Sequence, residues 1–98
     1  MCKRDLCERI IALVSKETEI AVADILSHDK RTDVVDARYL AVYLMLEKNI
    51  PAYRVASFMG MTERNVYHVK ERFEDRKDYG DPMLKEYYKC ISTALKQV

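Results

Sequence analysis

Between Thr62 and Lys70 the chain reads TERNVYHVK, a run of side chains suited to reading nucleic-acid bases. Arg64 can donate two hydrogen bonds to a guanine edge, and Asn65 can pair with adenine. Tyr67 can press on a thymine methyl or stack on a sugar. Thr62, Glu63 and His68 share the stretch and complete the base-edge candidates. Arg54, Lys70 and Arg72 suit phosphates, which position a protein on a duplex without reading sequence. Each of these residues also has a bland reading. Arg64 and Lys70 can simply be the solvated face of a helix, with Glu63 favoured by the helix N-terminus. His68 can bond a neighbouring backbone group as readily as a ligand.

These residues need two helices to hold them, and the surrounding sequence supplies both. Pro51 suits the opening turn of a first helix, where its missing N–H costs nothing. Val55, Ala56, Phe58 and Met59 give that helix an apolar side. Gly60 ends it, since the turn wants a residue that tolerates positive φ. Thr62 can cap the second helix. Val66, Val69 and Phe73 then recur at i, i+3 and i+7 as its buried face. Ala56 is small where the two helices must cross closely, and Val66 packs the second back on the first. Two helices joined by a short glycine-containing turn form a helix-turn-helix, placed at 51–73. An ordinary helical hairpin in a bundle is the competing reading.

The rest of the chain reads as support. Lys3 to Thr18 is expected to be an amphipathic helix, with Leu6, Ile10, Leu13 and Val14 on one face and Cys7 and Ile11 widening it. Val22, Ile25 and Leu26 suggest a helix of about two turns. Ser27 to Asp33 is a polar connection. From Val34 to Lys48 runs the most apolar segment, with Ala37, Leu40, Ala41, Leu44 and Met45 as a stripe and Val42, Tyr43 and Leu46 extending it nearly all round. Such a helix belongs in the middle of a small domain. Asn49 is its expected stop. After Phe73 the polar EDRKDYGDPM reads as a helix end and a turn, and Pro82 opens a last helix with Leu84, Tyr87, Tyr88, Ile91 and Leu95 on one face. An all-α fold of about six helices in a single domain, 1–98, is predicted.

Composition narrows the function classes. The net charge of the 98 residues is only +1, so the chain is not polybasic overall. Charge is uneven, however. From Lys48 to Arg72 the cations Lys48, Arg54, Arg64, Lys70 and Arg72 face only Glu63 and Glu71, for a net +3, whereas 73–86 carries −2. Cys2, Cys7 and Cys90 are odd in number and lack metal-site spacing, and His28 and His68 lie far apart in sequence, so neither disulfides nor a metal centre is expected. Cys7 and Cys90 are expected on helices and Cys2 at a frayed end. No paired carboxylates, Ser/His/Asp arrangement or glycine-rich phosphate loop is present, so neither an enzyme nor a cofactor is expected. No apolar run approaches the roughly 18 residues of a membrane span, and no secretory signal is read, so the cytoplasm is the expected compartment.

Taken together, Ile20–Ser27 (IAVADILS), Ala37–Leu46 (ARYLAVYLML) and Pro51–Val69 resemble, in order and spacing, the C-terminal DNA-binding domain of the bacterial replication initiator DnaA, in the wider Trp repressor-like group. The resemblance runs over roughly residues 6–95. The first stretch is similar to that family's "V-x-DLLS" ending, and the second to its "aR-x-iAmyL" helix, with Arg38, Ala41 and Leu44 in register. The family signature FGGRDHTTVxHA aligns without a gap to Phe58–Val69, matching at Phe58, Gly60, Val66 and His68. Met61-Thr62-Glu63-Arg64-Asn65 replace the Arg-Asp-His-Thr-Thr that helps the family read its site. The resemblance therefore implies the scaffold and not the family's target. It also implies a minor-groove loop over Ser27–Arg38, with Lys30, Arg31 and Arg38 as phosphate contacts, although Asp29, Asp33 and Asp36 make its net charge zero. The 98 residues carry no glycine-rich phosphate loop, so the family's ATPase part is not expected among them.

The expected function is double-stranded DNA binding, in a transcriptional regulator or mobile-element accessory factor. A module this small should bind weakly alone, so a homodimer or a larger protein partner is expected. The competing expectation is a protein-interaction module that kept the fold and lost DNA binding.

Overall fold

A computed structural model describes residues 3–79 and 82–96, which form six helices and, among those residues, no strand. They are α1 (Lys3–Thr18), α2 (Val22–Leu26), α3 (Thr32–Glu47), α4 (Ala52–Met59), α5 (Glu63–Tyr79) and α6 (Pro82–Lys96). The all-α expectation therefore holds, and no helix is long and apolar enough to cross a membrane. Cys2 and the turn expected at Gly80 lie outside the described residues.

The apolar helix predicted for the middle of the fold is there. α3 packs against each of the other five helices. Its Leu40, Ala41, Val42, Leu44 and Met45 are all buried, as are Val34, Ala37 and Tyr43. A helix with apolar residues on every side can be covered only by neighbours on every side. α1 contributes Cys7, Ile10, Ile11 and Val14 to the same core, and α6 contributes Leu84, Ile91 and Leu95. Fully burying one such aliphatic side chain is worth about 1.5–3 kcal/mol.

Helix ends follow local chemistry. Asn49 closes α3 with φ 63°, a left-handed conformation that asparagine tolerates better than most residues. Pro51 sits just before α4, and its carbonyl accepts from the Arg54 and Val55 amides at 2.9 and 3.1 Å. Gly60 ends α4 at φ 67° and ψ 37°. There the Met61 N–H returns to the Ala56 carbonyl at 2.9 Å, closing the helix. Thr62 caps α5, its Oγ1 accepting from the Asn65 amide at 3.2 Å. Val66, Val69, Phe73 and Ala56 are all buried, with α5 packed on both α4 and α3. This arrangement fits the predicted pair of helices around a short turn.

Two expectations need correction. α5 does not stop near Phe73 but continues to Tyr79. Nothing in Glu74–Tyr79 breaks a helix, and a polar helix can extend when its side chains are solvated or paired. Arg76 makes that pairing, donating to the Asp36 carboxylate on α3. Phe73 is thus a midpoint anchor: its ring lies 4.5 Å from Tyr43 on α3 and 6.2 Å from Tyr88 on α6, centroid to centroid. The second correction is α2, which spans five residues and leaves Leu26 37% exposed, with Ile25 alone fully buried.

Candidate nucleic-acid interface

The first turns of α5 divide cleanly. Val66 and Val69 face the core, whereas Glu63, Arg64, Asn65, Tyr67, His68, Lys70, Glu71 and Arg72 are exposed. Tyr67 is 59% exposed, so most of its ring faces solvent. The helix therefore presents a guanidinium, an amide, a phenol and an imidazole on one outward surface. Thr62 is exposed as well, although its hydroxyl already serves as the cap.

Beside this surface lies the polar connection between α2 and α3. Its shape comes from short-range bonds. Ser27 Oγ donates to the Asp24 carbonyl at 2.6 Å and accepts from the Asp29 amide at 3.1 Å. The Asp29 carboxylate accepts from the Arg31 amide at 2.9 Å and from its guanidinium at 2.8–2.9 Å. That side-chain bond, helped by the backbone one, holds the Asp29 carboxyl below its ordinary value of 3.8, and it raises the Arg31 guanidinium in turn. Asp29 thus offsets the charge of Arg31 within the loop.

Arg38, expected as a phosphate contact, is also bonded within the fold. It reaches back from α3 and donates to three backbone carbonyls: Ile25 at 2.9 Å, Asp29 at 3.1 Å, and Ser27 between them. The guanidinium fork is suited to this because its donors diverge in one plane. Half-buried and bonded on several sides, Arg38 serves the loop as an anchor.

So anchored, the loop forms one wall of a cleft of about 320 Å³, with Ser27, His28, Lys30, Val35, Arg38 and Tyr39. Met59, Gly60, Met61, Asn65, His68 and Val69 form the other. The fold therefore brings Lys30, Arg38, Asn65 and His68 together from among the predicted site residues. It also brings His28 opposite His68, a juxtaposition that their separation in sequence concealed. Arg64, Tyr67, Lys70 and Arg72 continue the same helix outside the cleft. Arg54 is exposed on α4, its guanidinium 5.8 Å from the Tyr53 ring centroid. Among the described residues no three His, Cys, Asp or Glu side chains gather as a metal site requires.

His28 was absent from the expected set because its neighbours in sequence, Ser27 and Asp29, make it look like part of a generic polar turn. Only the return of α5 to this loop places it in a cleft with His68. Compared with models of known protein families and with the sequences of curated proteins, the chain matches none.

Proposed function

We propose that this protein binds double-stranded DNA, with α5 entering the major groove and the 27–31 loop lying along the neighbouring backbone. The observation that carries the reading is the pairing of an exposed, polar α5 surface with a loop folded against it across one cleft. A helix of 17 residues has about 25 Å of length, and its exposed first half suits a groove about 12 Å wide. The Gly60 turn and the Thr62 cap support a helix-turn-helix, and the resemblance to the DnaA C-terminal domain supports the same scaffold.

In this reading Arg64 contacts a guanine edge, Asn65 and Tyr67 contact neighbouring bases, and Arg54, Lys70 and Arg72 contact phosphates. Lys30 and the two histidines border the backbone beside the helix. The modest net charge favours a dimer or a partner that adds contacts, as in a transcriptional regulator or a mobile-element accessory factor.

One observation favours a second reading, a protein-interaction module that no longer binds DNA. The loop's cations are largely engaged internally, Arg31 by Asp29 and Arg38 by carbonyls. Fluorescence titration with mixed duplexes over a salt series separates the two. DNA binding predicts an affinity that falls log-linearly with salt. No binding at low salt, or binding without a salt slope, rejects it. Arg64→Ala should then relax sequence preference, whereas Arg72→Ala should weaken all duplexes alike. Equal, sequence-blind losses from both would reject Arg64 as a base reader.

A further inference from the structure

A second cleft, of about 440 Å³, lies where the start of α1 meets α4, and it is lined by Lys3, Arg4, Cys7, Leu26, Arg54, Ser57 and Phe58. Three of these side chains are cationic and none is acidic. Lys3 Nζ donates to the Asn49 carbonyl at 3.1 Å, which draws its ammonium toward the entry to α4. Arg4 is 80% exposed and touches Glu8 at 3.6 Å. An exposed i,i+4 pair of this kind holds its partners weakly and leaves the guanidinium open to a stronger anion. Arg54 lies beside the Tyr53 ring, and the Ser57 hydroxyl is one turn further along the same exposed side of α4.

The position of this cleft matters as much as its charge. Leu26 and Phe58 line it, and their immediate successors, Ser27 and Met59, line the cleft beside α5. The two clefts therefore adjoin at the ends of α2 and α4. Between them the two clefts carry Lys3, Arg4, Arg54, Lys30, His28 and His68.

We infer that Lys3 and Arg4, with Arg54, bind the DNA phosphate backbone as an extension of the α5 interface. This rests on the DNA-binding reading above and adds two contact residues that neither the motif nor the resemblance assigns. Charge complementarity and continuity with the α5 cleft select a phosphate backbone as the occupant. A duplex is a polyanion whose phosphates repeat along its length, so it suits a surface that carries cations at two adjoining clefts.

The chemistry is ionic, so the salt dependence of binding reads it directly. Each phosphate neutralised contributes about 0.9 to the slope of log affinity against log salt. The full chain carrying Lys3→Gln and Arg4→Gln should lose between about 1 and 2 from that slope, with several-fold weaker binding at low salt and the same order of preference among duplexes. A companion variant, Lys16→Gln with Lys96→Gln, removes the same charge from positions outside both clefts and should leave the slope nearly unchanged. Matching urea-unfolding midpoints for both variants and the unaltered chain establish that folding is intact. If Lys3→Gln/Arg4→Gln lowers the midpoint, the single variant Arg4→Gln, whose side chain is mostly solvent, carries the test with about half the effect.

An unchanged slope in a protein that still binds duplex DNA overturns this inference alone. Equal losses from the two charge-matched variants also overturn it, since they would reflect net charge and not a site. So would an unchanged DNA slope coupled with loss of affinity for an acidic peptide, which would make the cleft a protein-docking site. Failure of the unaltered chain to bind any duplex overturns both the inference and the reading beneath it.

Discussion

Replacing Arg38 by methionine keeps an unbranched apolar stem of similar reach and removes the guanidinium. The lost bonds run to the carbonyls of Ile25, Ser27 and Asp29. A hydrogen bond from a charged group is worth about 1.5–3 kcal/mol when buried. Arg38 is only half-buried, and water can reach carbonyls of an exposed loop, so each bond should be worth less, about 0.5–1 kcal/mol. Three such bonds place the cost of Arg38→Met at about 1.5–3 kcal/mol. Arg38→Lys retains the charge, but a single ammonium cannot span three separated carbonyls, so it should recover no more than about half. Urea unfolding measures the stability change, and amide exchange at Ser27–Arg31 reports whether the loop has come loose. The lysine variant is the decisive one for function. A phosphate contact would survive the exchange of one cation for another, with duplex affinity almost unchanged. An anchoring role predicts that the lysine variant loses affinity and loop protection together. A methionine variant within about 0.5 kcal/mol of the unaltered chain, with loop amides equally protected, would refute the anchoring role.

Two further outcomes follow from local geometry. Gly60→Ala should cost about 1 kcal/mol in urea unfolding, because φ 67° is unfavourable for alanine while no atom lies within 4 Å of the added Cβ; a loss above about 3 kcal/mol would mean a clash that this geometry lacks. Asp29→Asn should steepen the salt dependence of duplex binding by releasing Arg31, and it should remove an acid transition of the loop. The sign is set by the lowered Asp29 carboxyl: its contribution is present above the ordinary value of 3.8 and is lost as pH falls through the lower folded value. Loop amide shifts followed from neutral pH downward should move in that acid range for the unaltered chain and stay flat there in the variant.

Much of the scaffold was legible because it depends on short-range pattern. α1 runs to Thr18 as expected, since its apolar period is uninterrupted. The central place of α3 followed from its lack of a polar side. Gly60 and Thr62 act at the positions where turn and cap chemistry put them. What stayed hidden depends on contacts between distant residues. Arg38 resembled any other cation because its partners are backbone carbonyls, which leave no mark in the sequence. The zero net charge of the loop is legible in the sequence, but not that Asp29 is the aspartate that engages Arg31. The length of α5 was underestimated because a polar run was taken to end a helix, and the Asp36 partner of Arg76 lies 40 residues away. Lys3 and Arg4 passed unnoticed for the same reason: they reach α4 only through the crossing of α1 over it.

The packing of α3 against all five other helices also governs what can be taken from this molecule. No half of the chain contains both α3 and everything that covers it. The α4–turn–α5 segment is equally dependent, since α5 packs on α3 and its Phe73 lies against Tyr43 of α3 and Tyr88 of α6. α5 is therefore not a transplantable part. Grafted onto another scaffold it would bring its outward side chains and leave behind the floor that keeps them turned outward. Under the proposed DNA-binding role, changes of specificity are better sought by substitution in place, on exposed side chains that do not hold up the core.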